Sequence, residues 1–193
     1  FISGIRLRLI RIIATVGVFL MPLAWFILKD YQKKRILVFM NPDIDPFGSG
    51  YHIIQSKIAI GSGTIFGKGL FNGTQSQLNF LPENHTDFIF SVIGEELGFI
   101  GCVIVLILLF MLIYRSIKVA YTCNDRFGML LATGISSMLC FEVLVNAGMT
   151  MGIMPVTGIP LPFISYGVSA LTTNMISIGI LLNISMQRTK YIF

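Results

Sequence analysis

From Val143 to Gln187 the chain runs 45 residues without a formally charged side chain. That is too long for one membrane crossing, which takes about 20 predominantly apolar residues. Pro155, Pro160 and Pro162 interrupt the run. Proline lacks an amide donor and clashes with the preceding turn, so the run divides into a helix over 127–147, a proline-rich connection over 148–162 and a last helix over 163–187. Two further uncharged stretches, 17 residues between Arg11 and Lys29 and 18 between Glu96 and Arg115, predict spans over 12–28 and 88–114. Hydrophobic residues make up 54% of the chain and charged residues 12%, against about a quarter charged in soluble domains. The chain therefore reads as an all-α integral membrane protein with about four transmembrane helices.

Several function classes drop out at this point. The net charge of +5 comes from basic residues that flank apolar runs and form no continuous basic face, so nucleic acid is not the expected partner. Cys102, Cys123 and Cys140 are odd in number and contain no CxxC pair, which indicates neither a disulfide framework nor a zinc site. Arg6, Arg8 and Arg11 resemble the basic start of a signal peptide. The apolar stretch that follows is long and ends in LKDYQ without a small-residue cleavage site, so a retained span is expected.

Short loops rich in Lys and Arg face the cytoplasm. The turn after the second span carries Arg115, Lys118 and Arg126, the tail carries Arg188 and Lys190, and 149–162 carries none. Both ends and the 115–126 turn are accordingly expected inside, with eight of the 14 basic residues. The other six, Lys29, Lys33, Lys34, Arg35, Lys57 and Lys68, fall in segment 29–87 on the outer side, against the rule. Long loops translocate largely regardless of charge. Parity then places the long loop 29–87 and the proline-rich connection 148–162 on one extracellular face.

Segment 29–87 is too long and too patterned for a passive connector. Its HIIQSKIAIGSG stretch predicts a short amphipathic helix ending at glycine. Two familiar motifs fail within it. A phosphate-binding loop needs glycine where Ser62 stands and a hydroxyl where Gly69 follows Lys68. A calcium loop starting at Asp43 would have Phe47 as its third ligand and Ile54 in place of the bidentate Glu.

The stretch 81–101, LPENHTDFIFSVIGEELGFIG, gathers Glu83, His85, Thr86 and Asp87 where the chain enters the second span. Helical spacing lines up Asp87, Ser91 and Glu95 on one face. Polar groups on a membrane helix are costly and should face protein or a wet cavity. Asp87 and Thr86 admit two readings, a helix cap or a site. Gly94 and Gly98 form a small-xxx-small pattern that favours helix packing. One histidine and a few carboxylates specify no metal. Glu142, inside the third span, is a site candidate or a carboxyl kept neutral or bonded to a neighbouring helix.

Three stretches carry a resemblance: GYHIIQSKIAIGSG (50–63), GKGLFNGTQSQLNFLPENHTDFIFSVIGEELG (67–98) and NAGMTMGIMPVTGIPLPFISYGVSA (146–170). Together they resemble the shape, elongation, division and sporulation (SEDS) family of bacterial membrane glycosyltransferases, and look closer to its elongation members than to its division members. The last stretch departs from the family signature at Val168, where a second glycine is usual. The similarity covers nearly the whole chain, and family members have about ten spans, which implies the C-terminal half of such a protein.

The resemblance implies a bacterial plasma-membrane lipid II polymerase (a hexosyltransferase) acting at the outer face in cell elongation and shape. Its catalytic aspartate would be Asp87. The substrate-binding set would be Lys57, Lys68, Gln75, Ser76, Glu83, His85, Thr86 and Ser165. Expected partners are lipid II, undecaprenyl diphosphate-linked glycan, membrane lipids and a class B penicillin-binding protein that crosslinks the product. In such an inverting transfer one carboxylate takes the proton of the attacking sugar hydroxyl. The lipid diphosphate leaves as a stable anion, so a second acid is dispensable and cations are needed instead, Lys57 and Lys68 being the candidates. These residues specify no cofactor; a divalent cation, magnesium or manganese, is compatible with the diphosphate. A helix N-terminus would lower the pKa of Asp87 and burial would raise it. Two rival classes are a flippase or transporter of the lipid-linked precursor, which broken helices and intramembrane carboxylates also suit, and a non-catalytic scaffold of the wall-synthesis complex.

Overall fold

The computed structural model describes residues 7–45, 48–78, 80, 81, 83 and 85–187, whose regular structure is helical with no strand among them. In chain order the helices are α1 (Leu7–Ile27), α2 (Asp30–Met40), α3 (Ser49–Ser62), α4 (Thr74–Gln77), α5 (Ile89–Thr122), α6 (Arg126–Thr150) and α7 (Val168–Gln187), with a 3-10 turn at Pro42–Ile44. The basic tail with Arg188 and Lys190 lies outside the described residues.

Among the described residues three helices are long and apolar enough to cross a membrane, Ile89–Thr122, Arg126–Thr150 and Val168–Met186. α1 covers the stretch expected as the first span. Its described apolar part, Arg11–Leu20, is shorter than a crossing, so a fourth span stays a proposal.

α5 and α6 form an antiparallel pair joined by a tight turn. Asp125 caps α6 by accepting the Gly128 amide at 2.8 Å, which satisfies an amide the first turn leaves free. α7 packs on both, and Leu109, Ile113, Leu139, Leu181 and Ile184 form much of the shared apolar core. Outward-facing Phe110 and Tyr121 stay exposed, as suits side chains that meet lipid or further protein.

α3 lies across the ends of α5 and α6 and is fixed there by a dry hydroxyl relay. Ser56 Oγ donates to the Thr150 carbonyl at 2.6 Å and lies 2.6 Å from Ser91 Oγ. A hydroxyl has one proton, so Ser91 donates to Ser56. All three residues are fully buried.

α6 runs to Thr150, past the expected end at 147, and the helices differ more sharply from the sequence expectation in three other places. The span expected over 88–114 continues to Thr122, because Arg115 and Lys118 tolerate the membrane surface by extending their charged ends toward water. The last helix starts at Val168 rather than 163. Phe163 has φ +63°, and Ser165 and Tyr166 are tied to the 85–86 backbone, so the chain cannot coil there.

The third difference is at Gly98, where φ is +67° and ψ −164° and α5 is broken. Segment 64–69 docks into the break. Lys68 and Gly69 amides donate to the Glu95 and Glu96 carbonyls at 3.0 Å each, and the Phe99 and Ile100 amides donate to the Thr64 and Ile65 carbonyls at 2.9 and 3.2 Å. Backbone groups released by the break are thus re-paired, as an apolar environment demands. Gly98 is therefore a joint rather than a helix-packing position, and its backbone meets that of Gly67 so closely that a Cβ would overlap it. Gly94 does serve packing, against Ile60 of α3. Beyond Gly98, α5 still extends roughly 36 Å at about 1.5 Å per residue, enough for a hydrocarbon core of about 30 Å.

Candidate active site at the entrance to α5

The segment 29–87 and the connection between α6 and α7 meet around Asp87. Phe88 is the N-cap of α5 and no side chain caps the helix, so the capping reading of Asp87 and Thr86 is overturned. Thr86 Oγ1 bonds the Glu83 carbonyl and carboxylate instead, at 3.3 and 3.1 Å.

Three ties hold the two segments together. Asn146, fully buried near the end of α6, donates through Nδ2 to the Asp87 carbonyl at 3.0 Å and to the Ile159 carbonyl at 2.8 Å. Ser165 Oγ donates to the Thr86 carbonyl at 2.7 Å and accepts the Leu161 amide at 2.7 Å. The Tyr166 amide donates to the His85 carbonyl at 2.8 Å. Ser165 and His85 thus lie at the site, although both act here through backbone ties.

The Asp87 carboxylate faces Gly158, whose φ is +74° and whose missing Cβ would stand 3.3 Å from Oδ2. A side chain there would be strained and would crowd the carboxylate. Asp87 is partly buried, and its pKa is raised: burial is the largest cause, Glu83 adds to it, and Arg35 opposes it. Burial therefore prevails over the opposing charge, which makes the carboxylate a better proton acceptor.

The cations separate into two kinds. Lys68 donates to Glu95 Oε1 at 2.9 Å and to Thr74 Oγ1 at 2.8 Å. Glu95 is fully buried and also accepts the Gln75 and Ser76 amides at 2.9 and 3.1 Å. Lys68, Gln75 and Ser76 therefore form a structural knot that docks α4 onto α5. Lys57 has no ion-pair or hydrogen-bond partner among the described residues, and its exposed side chain lies across Gly152, just past α6.

Three contributors escaped the sequence reading. Arg35 Nη1 donates to the Val156 carbonyl at 3.2 Å and its charge reaches Asp87. The signal was present: Lys33, Lys34 and Arg35 fall in the segment that the charge rule, with the orientation expected from sequence, would leave poor in basic residues. Lys34 pairs with Asp45 at 2.9 Å, whereas Arg35 points to the site. Asn146 and Gly158 lay within a quoted motif without an assigned role. Glu142 leaves Oε2 buried with no hydrogen-bond partner among the described residues. Among the described residues no three His, Cys, Asp or Glu side chains group to hold a metal ion.

A family model described as a cell cycle protein, FTSW_RODA_SPOVE, matches residues 1–190. The chain is 49% identical over 189 residues to the peptidoglycan glycosyltransferase MrdB of Escherichia coli strain K12, covering 97% of this chain and 51% of that protein. It is 49% identical over 162 residues to the peptidoglycan glycosyltransferase RodA of Treponema pallidum strain Nichols, covering 84% of this chain and 37% of that one. A solved structure described as "Structural coordination of polymerization and crosslinking by a peptidoglycan synthase complex" matches with a TM-score of 0.73 and 33% identity, over 97% of this chain and 51% of that one. The chain spans about half the length of MrdB.

Proposed function

We propose, from the premise that this chain belongs to the FtsW, RodA and SpoVE family, that it is part of a membrane glycosyltransferase that polymerises lipid II, with Asp87 as the general base. The observation that carries the reading is a proton-accepting carboxylate held at the junction of two polar segments, with its main chain pinned by Asn146.

In the proposed step the Asp87 carboxylate takes the proton of the 4-hydroxyl on the acceptor's N-acetylglucosamine. The hydroxyl oxygen attacks the anomeric carbon of the donor's N-acetylmuramic acid from the face opposite the leaving group. The bond from that carbon to the diphosphate breaks, and the lipid diphosphate departs with the bonding electrons. Inversion follows from the single displacement. Lys57 and Arg35 lie on the same side of the molecule as Asp87 and offer positive charge to the departing diphosphate. Lys68 is engaged by Glu95 and contributes by holding α4, with Gln75 and Ser76, beside the site. Glu83, His85, Thr86 and Ser165 shape the segment on which Asp87 sits. Among the described residues no three His, Cys, Asp or Glu side chains group to hold a metal ion, so a divalent cation would enter with the diphosphate, whose charge it would neutralise.

In the proposed arrangement this face lies outside the bacterial plasma membrane and both ends of the segment lie in the cytoplasm. The protein would act in elongation beside a class B penicillin-binding protein. The experiment is incubation of the purified full-length protein and its Asp87→Asn variant with lipid II. Glycan polymer from the wild type and at least about a hundredfold less from the variant is the expected result, since a general base contributes roughly 10²–10⁴. Equal polymer from both removes Asp87 from the role. Movement of lipid II across vesicles without polymer shifts the reading to transport.

A further inference from the structure

At the opposite end of α5 from Asp87, the second half of α5 and the end of α7 separate and leave an open groove of ≈ 610 Å³. That volume lies within the roughly 300–1,000 Å³ of ordinary ligand sites. Its apolar floor includes Met111, Leu112, Ile178 and Leu182, and Arg115 and Lys118 stand on its rim. Arg115 is the first charged residue after the uncharged run that begins at Leu97, so the rim lies where hydrocarbon gives way to headgroups. Arg115 and Lys118 are three residues apart on α5 and so share one face.

Both cations are exposed and have no hydrogen-bond or ion-pair partner among the described residues. No acidic residue lines the groove. Ser116 and Ser185 add polarity at the same level. An apolar trough beneath two unneutralised cations is complementary to a molecule with a hydrocarbon chain and a negative headgroup.

We propose that this groove holds an anionic phospholipid, its phosphate between Arg115 and Lys118 and one acyl chain along Leu112, Ile178 and Leu182. The site is separate from the one at Asp87 and does not depend on the reaction assigned there. Basic pockets between membrane helices select anionic headgroups because each nearby cation adds attraction at the bilayer surface.

The test uses the full-length protein in mixed micelles of phosphatidylglycerol and phosphatidylcholine, with retained lipid counted by native mass spectrometry. The wild type should keep phosphatidylglycerol in preference to phosphatidylcholine. Arg115→Gln with Lys118→Gln should reduce that preference by about tenfold. Because removal of both charges can disturb membrane insertion, Ser185→Trp serves as a second variant. It fills the groove with the rim charges intact, and it should also release the lipid. Unchanged phosphatidylglycerol retention in a folded double variant, or in Ser185→Trp, overturns the proposal. So does efficient crosslinking from a cysteine placed at Leu182 to a segment of the full-length chain outside these 193 residues, because protein would then fill the groove.

Discussion

The carboxamide of Asn146 donates to the carbonyl of Asp87 at 3.0 Å, so a residue in α6 fixes the main chain that carries the proposed base. The same nitrogen reaches Ile159 at 2.8 Å, which ties the facing connection to the same point. Asn146→Ala removes both bonds and leaves two partly buried carbonyls unpaired. Thermal unfolding in detergent should show a loss of about 2–4 kcal/mol, with glycan synthesis falling alongside it. A variant with unchanged stability would remove Asn146 from this role.

Asp87→Asn should behave differently. The folded-state pKa of Asp87 is raised, so its neutral form suits the fold better than its charged form. Such a group stabilises below its unfolded-state pKa, and that contribution is lost as pH rises through the folded pKa. At neutral pH the neutral amide is therefore expected to leave the melting temperature equal or higher while synthesis is abolished. A lower melting temperature would make the residue structural.

The pH profile of synthesis should follow the charges around Asp87. Glu83 raises its pKa and Arg35 lowers it. The base acts when deprotonated, so activity falls on the acid side. Glu83→Gln should move that acid limb to lower pH, and Arg35→Gln should move it to higher pH. Limbs that stay in place in both variants would place the controlling titration elsewhere.

The two lysines are separable by measurement. Lys68→Ala strands the buried charge of Glu95, and loss of one member of a buried pair costs about 3 kcal/mol. Lys57→Ala touches an exposed, unpaired cation and should change stability by no more than about 0.5 kcal/mol. Its effect belongs in a raised KM for lipid II, read from a substrate titration. An unchanged KM would leave Lys57 a surface residue.

Gly98→Ala places a side chain in a backbone region that essentially only glycine occupies and against the backbone of Gly67. Thermal unfolding should register a loss of about 2 kcal/mol or more. A neutral result would mean that α5 closes into a continuous helix.

The all-helical membrane fold was legible because run length and the positions of Pro155, Pro160 and Pro162 are local signals. Parity drew 29–87 and 148–162 to one face, and the bonds from Asn146, Ser165 and Tyr166 join those regions in space. The break at Gly98 was hidden, since a glycine four residues after Gly94 in an apolar stretch looks like a packing seam. What makes it a joint is segment 64–69, whose amides and carbonyls fit the gap. The duty of Lys68 was hidden for a similar reason, because its partner Glu95 lies 27 residues away. Arg35 was visible only as an exception to charge placement, and its reach to the site depends on how α2 folds back.

The break at Gly98 also divides the anchoring of α5. The first turns of the helix are bolted to α3 through Ser56 and Ser91 and a residue just before them to α6 through the Asp87–Asn146 bond, whereas the stretch after the break packs on α6 and α7. Segment 64–69 clasps both sides of the break, so the angle between the two stretches is set by a backbone splice and not by an unbroken coil. Gly98 is the elbow through which the polar headpiece is mounted on the membrane shaft.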